Sequence, residues 1–271
     1  MPIDALKRRI QGSAAAADRM PRFYVLGAGA VGKLYAAHLR REGHDVTLLL
    51  RTPQRRDEFI NWARLSIKIT EVYRQQLNAQ PSLCCSGSDV PAGIEPWVAR
   101  GIEAEVTDRG YKQGQQSSPS SRDAASSDQP QIERLLVTTK AYDTKNALSL
   151  IWHRLGSDSV IVLLGNGMGV AEEVLDYARR ATSGIMHKAP SILLATTYLG
   201  CMSGSNGSFH SLHTGLGPTY IASEALPGTP PLPHKHVEST LGQLTRLPLD
   251  VRVVPLSEIR YLMARKLAVN A

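Results

Sequence analysis

One six-residue stretch constrains this chain more than any other: Gly27-Ala28-Gly29-Ala30-Val31-Gly32, which spells G-x-G-x-x-G. Its flanks give it meaning. Arg22 to Leu26 is a short apolar run that reads as a buried strand, and the stretch from about Ala30 to Glu42 reads as a helix closed by Gly43. Val46 to Leu50 follows as a second strand. A strand, glycine loop, helix and strand in that order form a βαβ unit, whose parallel strands need the crossover helix. Each glycine then has a separate duty: Gly27 permits a tight turn, Gly29 lets a pyrophosphate approach the backbone, and Gly32 lets the helix pack closely. The helix N-terminus adds N–H groups and partial positive charge towards an anion. The alternative is a glycine-rich βα turn that holds no ligand.

The next informative position is Arg51, at the end of the second strand and nineteen residues after Gly32. A domain that binds NAD normally places an acidic residue here to hold the ribose 2′-hydroxyl. An arginine suits the 2′-phosphate of NADP(H) instead, because its planar fork meets phosphate oxygens two at a time. Thr52, Arg55 and Arg56 could add to the same site, and a solvated surface arginine is the competing reading.

Further along, Leu135 to Thr139 and Val160 to Leu164 read as strands. Lys140 follows the first directly, and Gly165-Asn166-Gly167-Met168-Gly169 follows the second. Lys140 and Asn166 are thereby expected at the carboxyl edge of a parallel sheet, where open α/β folds bind ligands. A helix from Val170 to Arg180, a strand from Ile192 to Thr197, shorter strands at Ser208 to His213 and Thr219 to Ala222, a Pro-rich loop at 226–233 and a helix over 235–246 complete the reading. Residues 86–131 differ in character, and between Val106 and Ile132 there is no Ile, Leu, Val, Met or Phe. Such a stretch cannot bury enough apolar area to offset its ordering entropy, so a disordered surface insertion is expected over about 107–131. The βα pattern resumes afterwards, which favours an insertion within one domain over a linker between two.

The last segment, Ser257 to Asn270, has helical spacing. Ile259, Met263, Lys266 and Asn270 recur at intervals of 4, 3 and 4, so they share one face, flanked by Leu262 and Leu267. A lysine on an apolar face costs several kcal/mol if fully buried without compensation, so a cleft suits it better than a core. When a carbonyl accepts hydride, negative charge gathers on its oxygen, and an ammonium group can stabilise that charge and supply the proton. Snorkelling of Lys266 from the helix edge to water is the alternative.

Composition narrows the function classes. With 42% hydrophobic and 20% charged residues, the chain has globular character, and it holds no apolar run long enough to span a bilayer. Its net charge of +7 comes from dispersed basic residues without interleaved aromatics, so no nucleic-acid or membrane partner is expected. Cys84, Cys85 and Cys201 lack metal-ligand spacing, and neither the His210/His213 pair nor the His234-x-His236 pair has a third ligand nearby, so no metal is expected. Asn206-Gly207-Ser208 matches a glycosylation sequon but reads as a turn. The first twenty residues read as a flexible extension. A cytoplasmic location is expected, with mitochondrial targeting as the alternative, although Asp4 and Asp18 are unusual in a transit peptide.

Taken together, VLGAGAVGKLYAAHLRREGHDVTLLLR, LLVTTKAYDT, VIVLLGNGMGVAEEV, ILLATTYLG, FHSLHTGLG and the terminal ARKLAVNA resemble the ketopantoate reductase (2-dehydropantoate 2-reductase) family, in family order, over roughly residues 22–51 and 135–271. The resemblance implies an α/β fold with a Rossmann-type, doubly wound, mostly parallel sheet over 21–255, followed from 256 by the first helix of a second, helical domain. It implies NADPH-dependent reduction of a small 2-keto acid, most naturally 2-dehydropantoate to pantoate in pantothenate biosynthesis. Lys266 would be the proton donor and Asn270 a substrate contact. Arg51 would meet the 2′-phosphate, while Lys140 and Asn166 would sit near the cofactor and the reacting centre. Thr197 to Gly200 would lie beside the cofactor. The family continues beyond the Lys-x-x-x-Asn helix, whereas this sequence stops one residue after Asn270, so weakened or absent turnover is expected here. A non-catalytic NADP-binding or regulatory protein, or a dehydrogenase for another small hydroxy acid, are the alternatives, and the oligomeric state is open, a homodimer included.

Overall fold

The computed structural model describes residues 21–73, 94–107, 129–165, 167–185, 189–204, 209–227, 229 and 234–270. The expected extension at 1–20, the compositionally biased core of the insertion at 108–128, Cys84, Cys85, Asn166, the sequon at 206–208 and most of the Pro-rich stretch lie outside these residues.

The chain opens with β1 (Phe23–Leu26), α1 (Ala30–Arg41), β2 (Val46–Leu50) and α2 (Pro53–Asn61). It continues through β3 (Ser66–Glu71), β4 (Trp97–Arg100), β5 (Glu103–Val106), β6 (Arg134–Val137), α3 (Ala141–Ile151), β7 (Val160–Leu164) and α4 (Val170–Ala181). The remaining elements are β8 (Ser191–Thr197), β9 (Gly200–Ser203), β10 (His210–Gly215), β11 (Thr219–Ala222), α5 (His234–Arg246), β12 (Val251–Val254) and α6 (Leu256–Asn270). His234 and His236 therefore both lie in the first turn of α5. The helix begins one residue earlier than the pattern suggested.

Eight strands form the main sheet in the order β12-β11-β8-β7-β6-β1-β2-β5. From β5 to β8 every neighbouring pair is parallel, while β11 runs antiparallel to β8 and β12 parallel to β11. Numbered by chain order, the six parallel strands follow the 3-2-1-4-5-6 sequence of the doubly wound dinucleotide-binding fold, with the reversal between β1 and β6. Strands buried on both faces are largely apolar, which explains the near-continuous runs FYVL, VTLLL and VIVLL. Alternate residues feed opposite cores: Phe23 and Val25 pack with α1, α2 and α5, while Tyr24 and Leu26 pack with α3, α4 and Ile259 of α6.

A smaller sheet, ordered β4-β3-β10-β9, was not legible as a unit from the sequence. It covers the far side of α1, so every residue of that helix from Gly32 to Leu39 is buried. The stretch 86–131 contributes β4 to this sheet and β5 to the main one, so its apolar-poor part begins only after Val106. Arg154 ties the two flanks of that part together. Its guanidinium donates to Glu105 Oε2 at 2.6 Å and to the Pro130 carbonyl at 3.1 Å, and stacks on Tyr24 at 5.1 Å. Both flanks thus enter and leave beside the same sheet.

Candidate active site

The reversal between β1 and β6 opens a crevice at the carboxyl edge, and the glycine turn occupies it. Gly27 adopts φ +106°, a left-handed conformation that a side chain would strain. A Cβ there would also lie 2.8 Å from Thr139 N, in the segment that follows β6. At Gly32 a Cβ would collide with the Gly27 carbonyl at 2.0 Å and with Thr138 Oγ1 at 2.4 Å. Gly29 is the opposite case: nothing stands within 4 Å of the position its Cβ would take. Two glycines are needed for internal packing, and the third faces open space. That distribution fits a backbone cradle for a pyrophosphate, next to a helix N-terminus that no side chain caps. Thr138, overlooked in the sequence reading, clamps the turn by donating its hydroxyl proton to the Gly27 carbonyl at 2.6 Å.

The other candidates occupy the same edge. Arg51 is exposed directly after β2. Beside it Thr52 caps α2, accepting from Arg55 N at 3.3 Å, while Arg55 pairs with Glu58 at 2.8 Å and Arg56 with Asp57. Arg55 and Arg56 are thus engaged locally. Lys140 is exposed after β6 at the start of α3. Around the ends of β6 and β7 lies a cavity of about 200 Å³, lined among others by Val137, Thr139, Gly167, Met168, Arg260 and Met263. Gly165 and Gly167, the neighbours of Asn166, both border it. A larger groove of about 1020 Å³ runs between α2 and the smaller sheet, lined by Arg55, Trp62 and His210 among others, and neither Lys140 nor Lys266 lines it.

Lys266 arrives from α6. Ile259 on the same face is fully buried, Met263 is partly buried, and the Lys266 ammonium donates to the carbonyl of Thr197, the last residue of β8. Burial pushes its pKa below the usual lysine value. It also lies 5.2 Å from the centroid of the Tyr198 ring. Leu267, expected beside this stripe, is 49% exposed, so the buried face is narrower than the pattern implied. Asn270 is the last residue of α6. Gly200 starts β9, where a Cβ would meet Gly215 N at 2.8 Å, so close strand pairing is reason enough for a glycine there.

Lys33 was not singled out by sequence, yet it is almost fully buried. It follows Gly32 on α1 and donates to the His210 carbonyl at 2.8 Å, joining the glycine-loop helix to the smaller sheet. Burial, with Arg55 adding repulsion, lowers its pKa to about 8. The unfolded chain binds that proton more tightly, so stability rises as pH climbs from about 8 towards the ordinary 10.5. Urea titrations of the native chain and Lys33→Met across that range should show the rise in the native chain only. Parallel curves would remove the assignment. His210 and His213 face opposite sides of β10, the first bonded to Thr70 Oγ1 at 2.8 Å and the second against the Tyr73 ring.

Comparison with known proteins bears on the family and the fold. A "Probable 2-dehydropantoate 2-reductase" of Schizosaccharomyces pombe is 29% identical over 257 residues, covering 92% of this chain and 61% of the relative. The chain therefore spans about three fifths of that relative's length. A putative 2-dehydropantoate 2-reductase structure from Enterococcus faecalis superposes with a TM-score of 0.60 at 17% identity, covering 92% of this chain and 61% of that one. A D-mandelate dehydrogenase solved with NADH and anilino(oxo)acetate gives 0.60 at 15% identity with the same coverages. At those identities the two structures speak for the fold. The sequence model of a family described as ketopantoate reductase PanE/ApbA matches residues 23–225, from the first strand of the sheet to just beyond β11. That match takes in the glycine turn, the reversal and most of the carboxyl edge, and this chain belongs to the ketopantoate reductase family.

Proposed function

We propose that this chain binds NADPH along the carboxyl edge of the main sheet and serves the reduction of a small 2-keto acid, 2-dehydropantoate being the first substrate to test. The observation that carries the reading is the glycine turn at the strand reversal, with two sterically required glycines and an open third, on the same edge as Lys266. Adjacent strands lie about 4.8 Å apart, so the four intervals from β2 to β8 span roughly 19 Å, room for a dinucleotide laid along the edge.

In this reading the backbone at Gly27, Ala28, Gly29, Ala30, Val31 and Gly32 holds the pyrophosphate, Arg51 holds the ribose 2′-phosphate, and Lys140, Asn166 and Gly200 border the bound molecule. When bound, NADPH supplies the hydride. Lys266 carries a proton at Nζ and presents positive charge where the keto oxygen becomes an alkoxide, then donates that proton. Its lowered pKa makes the proton easier to give up at neutral pH than that of an exposed lysine. Asn166 and Asn270 orient the substrate. The unit that holds the cofactor is residues 21–255, and α6 opens a further helical unit. Among the described residues no helix is long and apolar enough to cross a membrane.

Cofactor choice tests the reading directly. Arg51→Asp should weaken NADPH about ten- to hundredfold, as expected for losing a charge-assisted contact, and leave NADH nearly unchanged. Fluorescence titration of both nucleotides measures this, and equal losses for both would remove the 2′-phosphate role.

A further inference from the structure

We propose that Tyr198 is a positioning residue for Lys266, holding the ammonium at the end of β8 through its ring and its hydroxyl together. The inference rests on the reading of Lys266 as the reacting cation. Tyr198 reaches α6 at two points one helical turn apart. Its O–H donates to the Leu262 carbonyl at 3.0 Å, and its ring faces the Lys266 ammonium at 5.2 Å. Residues 262 and 266 are four apart and stack on one face, so a single side chain grips both the backbone and the charge. A cation within about 6 Å of a ring centroid is attracted by the negative face of the ring.

The corner that carries Tyr198 is itself fixed. Tyr198 N donates to the Pro218 carbonyl at 2.9 Å. The preceding residue, Thr197, supplies the carbonyl that receives Lys266, and its hydroxyl accepts from Thr219 Oγ1 at 2.8 Å and from Leu199 N at 3.2 Å. Thr219 in turn accepts from the Tyr35 hydroxyl at 2.7 Å. Burial raises the Tyr35 pKa, which favours the protonated, donating phenol. Tyr35 belongs to α1, the helix that begins at the glycine turn. A buried hydroxyl chain therefore links the cofactor-side helix to the seat of the lysine.

The strands α6 packs against, β8 and β11, carry one titratable side chain between them, Tyr220. It meets Tyr198 edge-on at 6.1 Å, with Arg252 beyond it at 6.0 Å from the Tyr220 ring. On α6 itself Glu258, Arg260, Tyr261 and Arg265 are exposed. Tyr198 is the aromatic ring that meets the ammonium.

The test is an NMR titration of the full chain labelled with [13Cε]lysine, with the Lys266 signal identified by its loss in Lys266→Arg. In the native chain that signal should be displaced by the ring current. Tyr198→Leu keeps an apolar cover but removes the ring, so it should abolish the displacement and lower the Lys266 midpoint by about half a pH unit. Tyr198→Phe should keep the displacement. An unchanged signal and midpoint in Tyr198→Leu would overturn the proposal. In a turnover assay, the alkaline limb of kcat should move to lower pH in Tyr198→Leu while KM for NADPH stays put. If instead Lys266→Ala keeps the native rate and limb, the reading of Lys266 fails, whatever the titration says about its seat.

Discussion

Lys266→Ala should lower turnover of a 2-keto acid by about 10²–10⁴-fold, the usual worth of a placed general acid, while leaving NADPH affinity unchanged. The separation is expected because Lys266 stands at the end of β8, three strands from the glycine turn. Removing it takes charge and proton from the reacting oxygen without disturbing the phosphate cradle. Lys266→Arg should not restore the rate, since a guanidinium holds its proton too tightly to donate it at neutral pH. Following NADPH absorbance with 2-dehydropantoate decides the matter, and a variant that retains the native rate would end the proton-donor assignment. Should the native chain bind NADPH yet turn over none of a panel of 2-keto acids, the non-catalytic reading takes its place.

The second large effect separates two glycines three residues apart. Gly32→Ala forces a methyl to within 2.0 Å of the Gly27 carbonyl, and that neighbour is backbone, so the turn must move. Overpacking of this kind costs about 1–3 kcal/mol, and the displaced turn should no longer bind NADPH. Gly29→Ala meets nothing within 4 Å, and its φ of −72° suits any residue. It should keep the native melting temperature and still lose most cofactor affinity, because the methyl fills the path by which a pyrophosphate nears the backbone. Thermal unfolding and nucleotide titration of both variants provide the check. A Gly29→Ala chain that binds NADPH normally would show that the open side of the turn is not where the cofactor sits.

These two predictions draw on different layers of information. The glycine turn was legible because all its requirements are local: an apolar strand before, a helix after, and glycines at fixed offsets. The same holds for Lys140 at a strand end and for the stripe Ile259, Met263, Lys266, since helical periodicity aligns residues before any tertiary contact exists. Arg51 was equally plain, nineteen residues on from Gly32. The smaller sheet was not legible. β3 pairs with β10 across some 140 residues, and neither strand carries a distinctive pattern of its own. Its existence explains why α1 is buried all round and why Lys33, an ordinary surface residue by type, lies beneath His210.

What the amino-acid order alone determined is therefore the βαβ start, the run of strand ends and the kind of chemistry their residues could perform. Which of those residues meet was decided only when the strands lined up. The placing of Lys266 on the Thr197 carbonyl, with Tyr198 beside it, depends on α6 packing over β8 and β11. No periodicity encodes that contact, because it joins segments brought together by sheet order rather than by spacing along the chain.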